Sequence, residues 1–302
     1  MKIVSVDAAG LDTDKYHRFG NYVFSENLIR ALKKFDKNNR YYFYRFERNF
    51  PRLAWMKAQV SLKEFINKKD VFLAFNQALP LYVSGKVISF CHGLSYYFFQ
   101  NKYSKASLRR LKFQLKEMVC RSDYLVVSSI KVKKELAEIY PQIKERIKVL
   151  LFGIPFDISN NKKNLVKKSI NEYYLFVGMD HPIKNIDFLR SIKGVNIKMV
   201  TSGCPRPRLI KLYLGAKALL TVSDYESFNL PVLEALSLGC PVIGLKSAII
   251  PELEPFVHVA KSKNGFIKLL NSTIKRPDQK TINVLRKIFN WEDYVRKLVK
   301  LY

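Results

Sequence analysis

Short runs of β-branched and aromatic residues recur along this chain, each separated from the next by a stretch of helical period. In the first half they are KIVSVD (2–7), YYFYRF (41–46), DVFLAF (70–75), KVISFC (86–91), DYLVVSS (123–129) and RIKVLL (146–151). Between them lie helical patterns such as NYVFSENLIRALKKF (21–35) and IKVKKELAEIY (130–140). A strand that is followed by a helix and then by another strand pairs in parallel through a right-handed crossover. Runs as apolar as these suit strands covered on both faces. The alternation therefore predicts an α/β fold with doubly wound parallel sheets.

The rhythm breaks once. FGIPFDISNNKKNLVKKSINE (152–172) is polar, with Gly, Pro and an Asn/Lys cluster, and reads as a linker. Alternation resumes with YYLFVG (173–178), NIKMVTS (196–202), KALLTVS (217–223), PVIGL (241–245) and FVHVA (256–260). A length of 302 residues accommodates two domains of about 150 each. The expected division is 1–155, 156–288 and a terminal amphipathic helix over 289–302 that packs back on the first domain. Open parallel sheets bind ligands at the carboxyl ends of their strands, so chemistry is expected in a cleft between the two halves.

The formal net charge of +28 promises attraction to an anion: nucleic acid, a phosphorylated substrate or a membrane surface. Charge alone does not choose among them, and a lysine-rich surface without a role explains it equally well. Nucleic acid is disfavoured because the basic and aromatic residues form no reading motif. No apolar run approaches the roughly 18 residues of a membrane span. MKIVSVDAAG is a strand pattern, not a secretory signal, which predicts a cytoplasmic protein. Cys91, Cys120, Cys204 and Cys240 are scattered, as expected of reduced residues without zinc or disulfide roles. Asp12-Thr13-Asp14 has a metal-binding form but falls just after the first strand and reads as solvated loop, so no metal or other cofactor is expected.

Residues 224–239, DYESFNLPVLEALSLG, carry the most chemistry. The strand before them delivers Glu226 to the mouth of a sheet. Pro231 is tolerated in a first helical turn, and Gly239 with Pro241 closes the helix. Glu234 is then expected in or near that first turn, where the helix dipole favours a carboxylate. Backbone N–H groups at 228–231 are expected to face a ligand. Two acceptors flanking several donors suit a nucleotide sugar, which has both hydroxyls and phosphates. The plainer reading makes Glu234 a dipole partner and Glu226 solvated loop.

SDYESFNLPVLEALSLGCPVIG resembles the signature of retaining glycosyltransferases of family 4, of the GT-B fold, in which seven residues separate two glutamates. LFVGMDHPIKNIDFL (175–189), ISFCHGLSYYFF (88–99), the segment 122–155 and FNWEDYVRKLVKLY (289–302) resemble further segments of that family in the same order, with a likeness to its mannosyltransferase-like branch. The resemblance implies two Rossmann-like domains, with Glu226 holding sugar hydroxyls beside the amides of Phe228, Asn229 and Leu230. It implies Glu234 on the nucleotide ribose, Lys184 on the departing diphosphate and His92 near the reacting carbon. Gly20, Gly178, Asn185 and Ser227 complete the implied binding set. Retention without a carboxylate nucleophile implies front-face displacement.

The sequence departs from the family at Ser227 and Asn229, where glycines are usual. Met179 and Ile183 stand where an arginine is common, with Arg206, Arg208 or Lys246 as substitutes. The implied activity is transfer of a hexose, with GDP-mannose the preferred donor, to a glycan or lipid-linked acceptor in surface polysaccharide synthesis. Lys105, Arg109, Lys112 and Lys116 share a helical stripe beside Leu108, Leu111, Leu115 and Met118, after the aromatic run 96–99. That pattern fits either peripheral contact with an anionic membrane or an ordinary surface helix. The rival to transfer is a family relic that binds anionic lipid or nucleic acid.

Overall fold

The computed structural model describes residues 1–13, 20–46, 54–160 and 173–302. The chain divides into two compact units, one of Met1–Asp14, Asn21–Phe152 and Trp291–Tyr302, the other of Lys15–Gly20 and Gly153–Asn290. Each is built on one parallel sheet, and every expected strand run supplies a strand.

In the first unit the strands are β1 (Ile3–Asp7), β2 (Arg40–Tyr44), β3 (Val71–Ala74), β4 (Lys86–Cys91), β5 (Tyr124–Val127) and β6 (Ile147–Val149), in spatial order β2-β1-β3-β4-β5-β6. All pair in parallel. Val4, Val6, Phe72, Leu73, Ile88 and Phe90 are buried from both faces, which is why these runs lack the polar alternation of a half-exposed strand. The helix Gly20–Phe35 buries Phe24, Leu28 and Leu32. The last helix, Trp291–Val299, belongs to this unit: Trp291 lies 6.4 Å from Phe152, and Tyr302 shares a hydrogen bond with Tyr41 at 3.1 Å.

In the second unit β7 (Tyr174–Val177), β8 (Ile197–Val200), β9 (Leu219–Thr221), β10 (Val242–Leu245) and β11 (His258–Ala260) lie in the order β11-β10-β9-β7-β8. Phe176, Leu220, Val222, Ile243 and Phe266 form its core. Within the stretch read as a linker, Phe156–Ser159 form one helical turn that buries Phe156 and Ile158, while 161–172 lie outside the described residues.

Strand order locates where each sheet can hold a ligand. Chain direction across the sheet reverses between β1 and β3 in the first unit and between β7 and β9 in the second. The loops that leave the carboxyl ends of such a pair diverge to opposite sides and open a crevice.

Candidate functional site

In the second unit the loop after β7 carries Gly178–Asn185 and the loop after β9 carries Ser223–Asn229. The Asp224 N–H donates to the Ile183 carbonyl at 2.9 Å and ties the two loops together. His181 accepts from the Ile183 N–H and starts a single 3-10 turn, Pro182–Lys184, which ends on Asn185 in the left-handed region at φ 53°. A Cβ on Gly178 would sit 3.2 Å from the Phe176 ring, a tight approach, and 3.8 Å from Lys184 Cδ, an ordinary contact, so glycine here makes room for the ring. Lys184 Nζ reaches Glu226 Oε1 at 2.6 Å, and the Ser223 hydroxyl donates to the same oxygen at 2.7 Å. Glu226 is 9% exposed.

Asn229 follows with φ 68° and caps the helix Leu230–Ser237. Its side-chain amide donates to Thr221 Oγ1 at 2.9 Å and to the Ala248 carbonyl at 3.1 Å. Asparagine takes this left-handed conformation at less cost than most residues, and these two bonds hold it there. The amide therefore turns inward to β9. Among the described residues the N–H groups of Asn229 and Leu230 find no acceptor, as the first donors of a helix do not. Pro231 contributes no N–H, so the expected donor set ends at Leu230.

The helix begins at Leu230, which makes Glu234 its fifth residue, just past the first turn and within the expected range. The dipole effect fades within one turn, so another partner must hold the charge. That partner is Arg206, whose guanidinium lies 2.8 Å from Glu234 Oε1, while the Tyr213 hydroxyl donates to Oε2 at 2.9 Å. Arg206 also pairs with Asp157 at 2.7 Å. Glu234 is only 3% exposed. Burial lifts its carboxyl above the ordinary value, and Arg206 and Tyr213 offset part of that rise. Burial alone would lower the Arg206 guanidinium, but the Glu234 carboxylate overrides it and holds it high. Of the proposed substitutes for the family arginine, Arg206 is thus committed to two carboxylates and Lys246 pairs with Glu254, while Arg208 is exposed. Met179 is 44% exposed and Ile183 is buried.

In the first unit His92 follows β4. Its Nε2 lies 2.5 Å from the Phe75 carbonyl, and its ring packs edge-on against Phe24. Burial pushes the imidazole pKa down, so the ring is neutral with Nε2 as the donor. Gly20 opens the helix Gly20–Phe35, and a Cβ there would meet nothing within 4 Å. Asp12 pairs with Arg45 and accepts from the Phe46 N–H at 2.9 Å; Asp14 lies outside the described residues. Among the described residues no group of three or more His, Cys, Asp or Glu could hold a metal ion. Leu115 and Met118 are buried and Leu108 and Leu111 pack against the core, so the helix Lys105–Arg121 spends its leucines inside. Lys105, Arg109 and Lys116 are exposed, and Lys112 donates to Gln100 at 3.0 Å. No helix among the described residues is long and apolar enough to cross a membrane.

Sequence reading missed a polar cluster at the β1/β3 crevice. Asp7, at the end of β1, accepts from the Ala9 and Asn76 N–H groups and from the Asn76 amide at 2.9 Å. The Asn21 amide donates to Asn76 Oδ1 at 2.7 Å. The buried Ser25 hydroxyl beside it has no protein partner, and a Cβ on Gly10 would stand 2.8 Å from it. The available signal was an acid ending a strand, one of several in the chain.

Burial raises the Asp7 pKa from 3.8 to about 6, and the Asn76 bonds limit the rise. A carboxyl whose pKa rises on folding binds its proton more tightly when folded. Its contribution is therefore fully present below about pH 4 and is lost as pH climbs through about 6, at a cost of about 3 kcal/mol. Denaturant unfolding of Asp7→Asn should show a flatter pH dependence across that window than the unsubstituted chain. Parallel profiles would contradict the assignment.

Comparison with known proteins bears on the same residues. The family described as "Glycosyl transferases group 1" matches residues 134–268, a segment that contains Lys184, Arg206, Glu226 and Glu234. Among curated proteins none matches the chain. Sucrose-phosphate synthase from Thermosynechococcus elongatus superposes with a TM-score of 0.72 at 13% identity, over 100% of this chain and 98% of that one. Anabaena HepE, solved with UDP and glucose, gives 0.64 at 14% identity, over 99% and 98%. WaaG, a glycosyltransferase of lipopolysaccharide biosynthesis, gives 0.59 at 16% identity, over 99% and 95%. At these identities the likeness shows the fold, which is that of the GT-B glycosyltransferases. Residues 134–268 accordingly resemble a group 1 glycosyltransferase domain, and the fold of the whole chain is GT-B.

Proposed function

We propose that the chain is a retaining hexosyltransferase that moves a sugar from a nucleoside diphosphate to a glycan or lipid-linked saccharide acceptor in surface polysaccharide synthesis. The observation that carries the reading is the convergence of Lys184 and Ser223 on Glu226 beside the open N–H groups of Asn229 and Leu230. Acceptors for sugar hydroxyls, donors for phosphate oxygens and a cation for the leaving group stand within two loops. All lie at the carboxyl ends of β7 and β9.

In this reading the Glu226 carboxylate accepts from hydroxyls of the transferred sugar. Lys184 releases part of its hold on Glu226 and neutralises the diphosphate as the bond from the anomeric carbon to phosphate oxygen breaks. Fixed donors aimed at developing charge, in a site with little water, lower a barrier more than they could in bulk solvent. The acceptor hydroxyl attacks from the face the diphosphate is leaving, and its proton passes to a leaving-group phosphate oxygen. Configuration is thereby kept without a covalent sugar on the protein, and neither glutamate acts as a nucleophile. GDP-mannose is the favoured donor, on the resemblance to the mannosyltransferase-like branch; the neighbour solved with UDP and glucose makes a uridine donor the alternative.

Thermal unfolding in the presence of UDP, GDP, ADP and their sugar conjugates tests the donor site. One nucleotide series is expected to raise Tm, by RT ln(1 + [L]/Kd) in free energy. Lys184→Met should keep most of the rise, because the ammonium is already paired with Glu226 and acts chiefly on the departing diphosphate. Absence of a rise with every nucleotide would refute the donor site and leave the binding-relic alternative standing.

A further inference from the structure

The short helix Ser61–Ile66 in the first unit is turned inside out. Its acid, Glu64, is fully buried and accepts a hydrogen bond from the Tyr44 hydroxyl at 2.8 Å. Its apolar residues face outward: Leu62 is 57% exposed, Phe65 63% and Ile66 65%. The segment Leu81–Tyr82 lies alongside, because the Ser61 hydroxyl oxygen accepts from the Leu81 N–H at 2.8 Å. Phe65 meets the Tyr82 ring edge-on at 5.6 Å. Leu81 is itself 68% exposed, the most open large apolar side chain after Met1 among the described residues. Isolated exposed apolar residues are ordinary, but five large ones on two hydrogen-bonded segments form a patch that water alone does not favour.

The charges around the patch select what covers it. From Ser61 to Lys69 the only acid is the buried Glu64, whereas Lys63, Lys68 and Lys69 are all cations. Pro80–Lys86 contains no acid. The Arg121 guanidinium donates to the Leu81 carbonyl at 3.0 Å but pairs with Glu117 at 3.5 Å, so the net positive charge at the rim is that of the lysines. A second copy of this chain, docked through a two-fold axis, would bring these cations face to face. An anionic bilayer complements both parts, since lipid headgroups meet the lysines while the aromatic and aliphatic side chains enter the acyl boundary.

We propose that Leu62, Phe65, Ile66, Leu81 and Tyr82, with the lysines at their edge, form a docking surface for an anionic membrane. The proposal is independent of the sugar-transfer reading and differs from the basic stripe of Lys105–Arg121, whose leucines are spent in the core.

Sedimentation of the full chain with lipid vesicles tests it. The chain should pellet with vesicles of equal parts phosphatidylcholine and phosphatidylglycerol, and not with phosphatidylcholine alone. The double substitution Leu62→Ser, Phe65→Ser should lower partitioning about tenfold or more, since it removes two inserting side chains. Lys68→Glu should weaken binding in a salt-dependent way. Ile267→Ser, at an exposed apolar residue of the other unit, should bind as the unsubstituted chain does. Both patch residues are exposed, so melting profiles should stay unchanged. Unaltered pelleting of the double variant would overturn the proposal. So would a solution dimer that dissociates on the same substitutions. Loss of binding with Lys105→Glu, Arg109→Glu, Lys116→Glu but not with the patch variants would assign the contact to the stripe and overturn it as well.

Discussion

Replacing Lys184 by alanine is expected to lower the rate of sugar transfer by about two to three orders of magnitude, the usual loss when one preorganised donor to developing charge is removed. The loss should fall on kcat. In the free enzyme the ammonium already sits 2.6 Å from Glu226 Oε1, so the donor gains only part of its charge on binding. The full benefit arises as negative charge builds on the departing diphosphate, which is an interaction of the transition state. Donor KM should therefore change by much less than kcat. Stability should also fall, because the substitution leaves the Glu226 carboxylate, whose side chain is only 11% exposed, without its cation. Steady-state kinetics with a cognate donor, beside denaturant unfolding, separate the two effects. An equal rise in KM with kcat unchanged would make Lys184 a binding residue only, and no effect on either would remove it from the site.

How much of this could be read from the sequence depends on which interactions are local. β1 to β11 emerge within a residue or two of the expected runs, the inner ones because a strand buried on both faces must be continuously apolar and this pattern needs no tertiary context. The helix Leu230–Ser237 is similarly announced by Pro231 and Gly239, the latter at φ 71°. Asn185 and Asn229 occupy left-handed positions that asparagine itself hints at. What was illegible is non-local. That Lys184 and Glu226 would meet depends on β7 lying beside β9 with β8 outside them, an order fixed by the whole sheet. The Asp7–Asn76 cluster likewise requires β1 and β3 to be neighbours. The helix Ser61–Ile66 was not read from the sequence at all, for another reason. Its apolar residues point outward and its acid inward, so a pattern argument that assumes burial would assign the wrong face. Sequence reasoning failed most completely where the residues serve something other than the core.

Glu234 poses the sharpest conflict between the two readings, and its removal should have the largest effect on stability. The resemblance assigns its carboxylate to a ribose, yet one oxygen holds Arg206 and the other holds Tyr213, at 3% exposure. An ionised carboxylate has about four acceptor sites, so two contacts do not saturate it, but any ligand must reach a nearly closed group. Glu234→Ala leaves the Tyr213 hydroxyl without its acceptor and Arg206 with Asp157 alone. Breaking a buried pair by removing one partner typically costs 3–5 kcal/mol, and Asp157 shelters part of the charge, so about 3 kcal/mol is expected. Glu234→Gln keeps an acceptor for Tyr213 and should lose less. Arg206→Ala exposes the converse loss, since it strands the Glu234 carboxylate. A double-mutant cycle of the two by denaturant unfolding should return a coupling of about 2 kcal/mol. Simple additivity would mean that the pair does not act as a unit. Nucleotide protection then separates structure from binding: Tyr213→Phe removes one hydrogen bond and no charge, at about 1 kcal/mol. If Tyr213→Phe keeps the nucleotide-induced rise in Tm while Glu234→Gln, at similar stability, loses it, the carboxylate touches the ligand. If both keep it, Glu234 serves to hold Arg206 and Tyr213 in place beneath the helix.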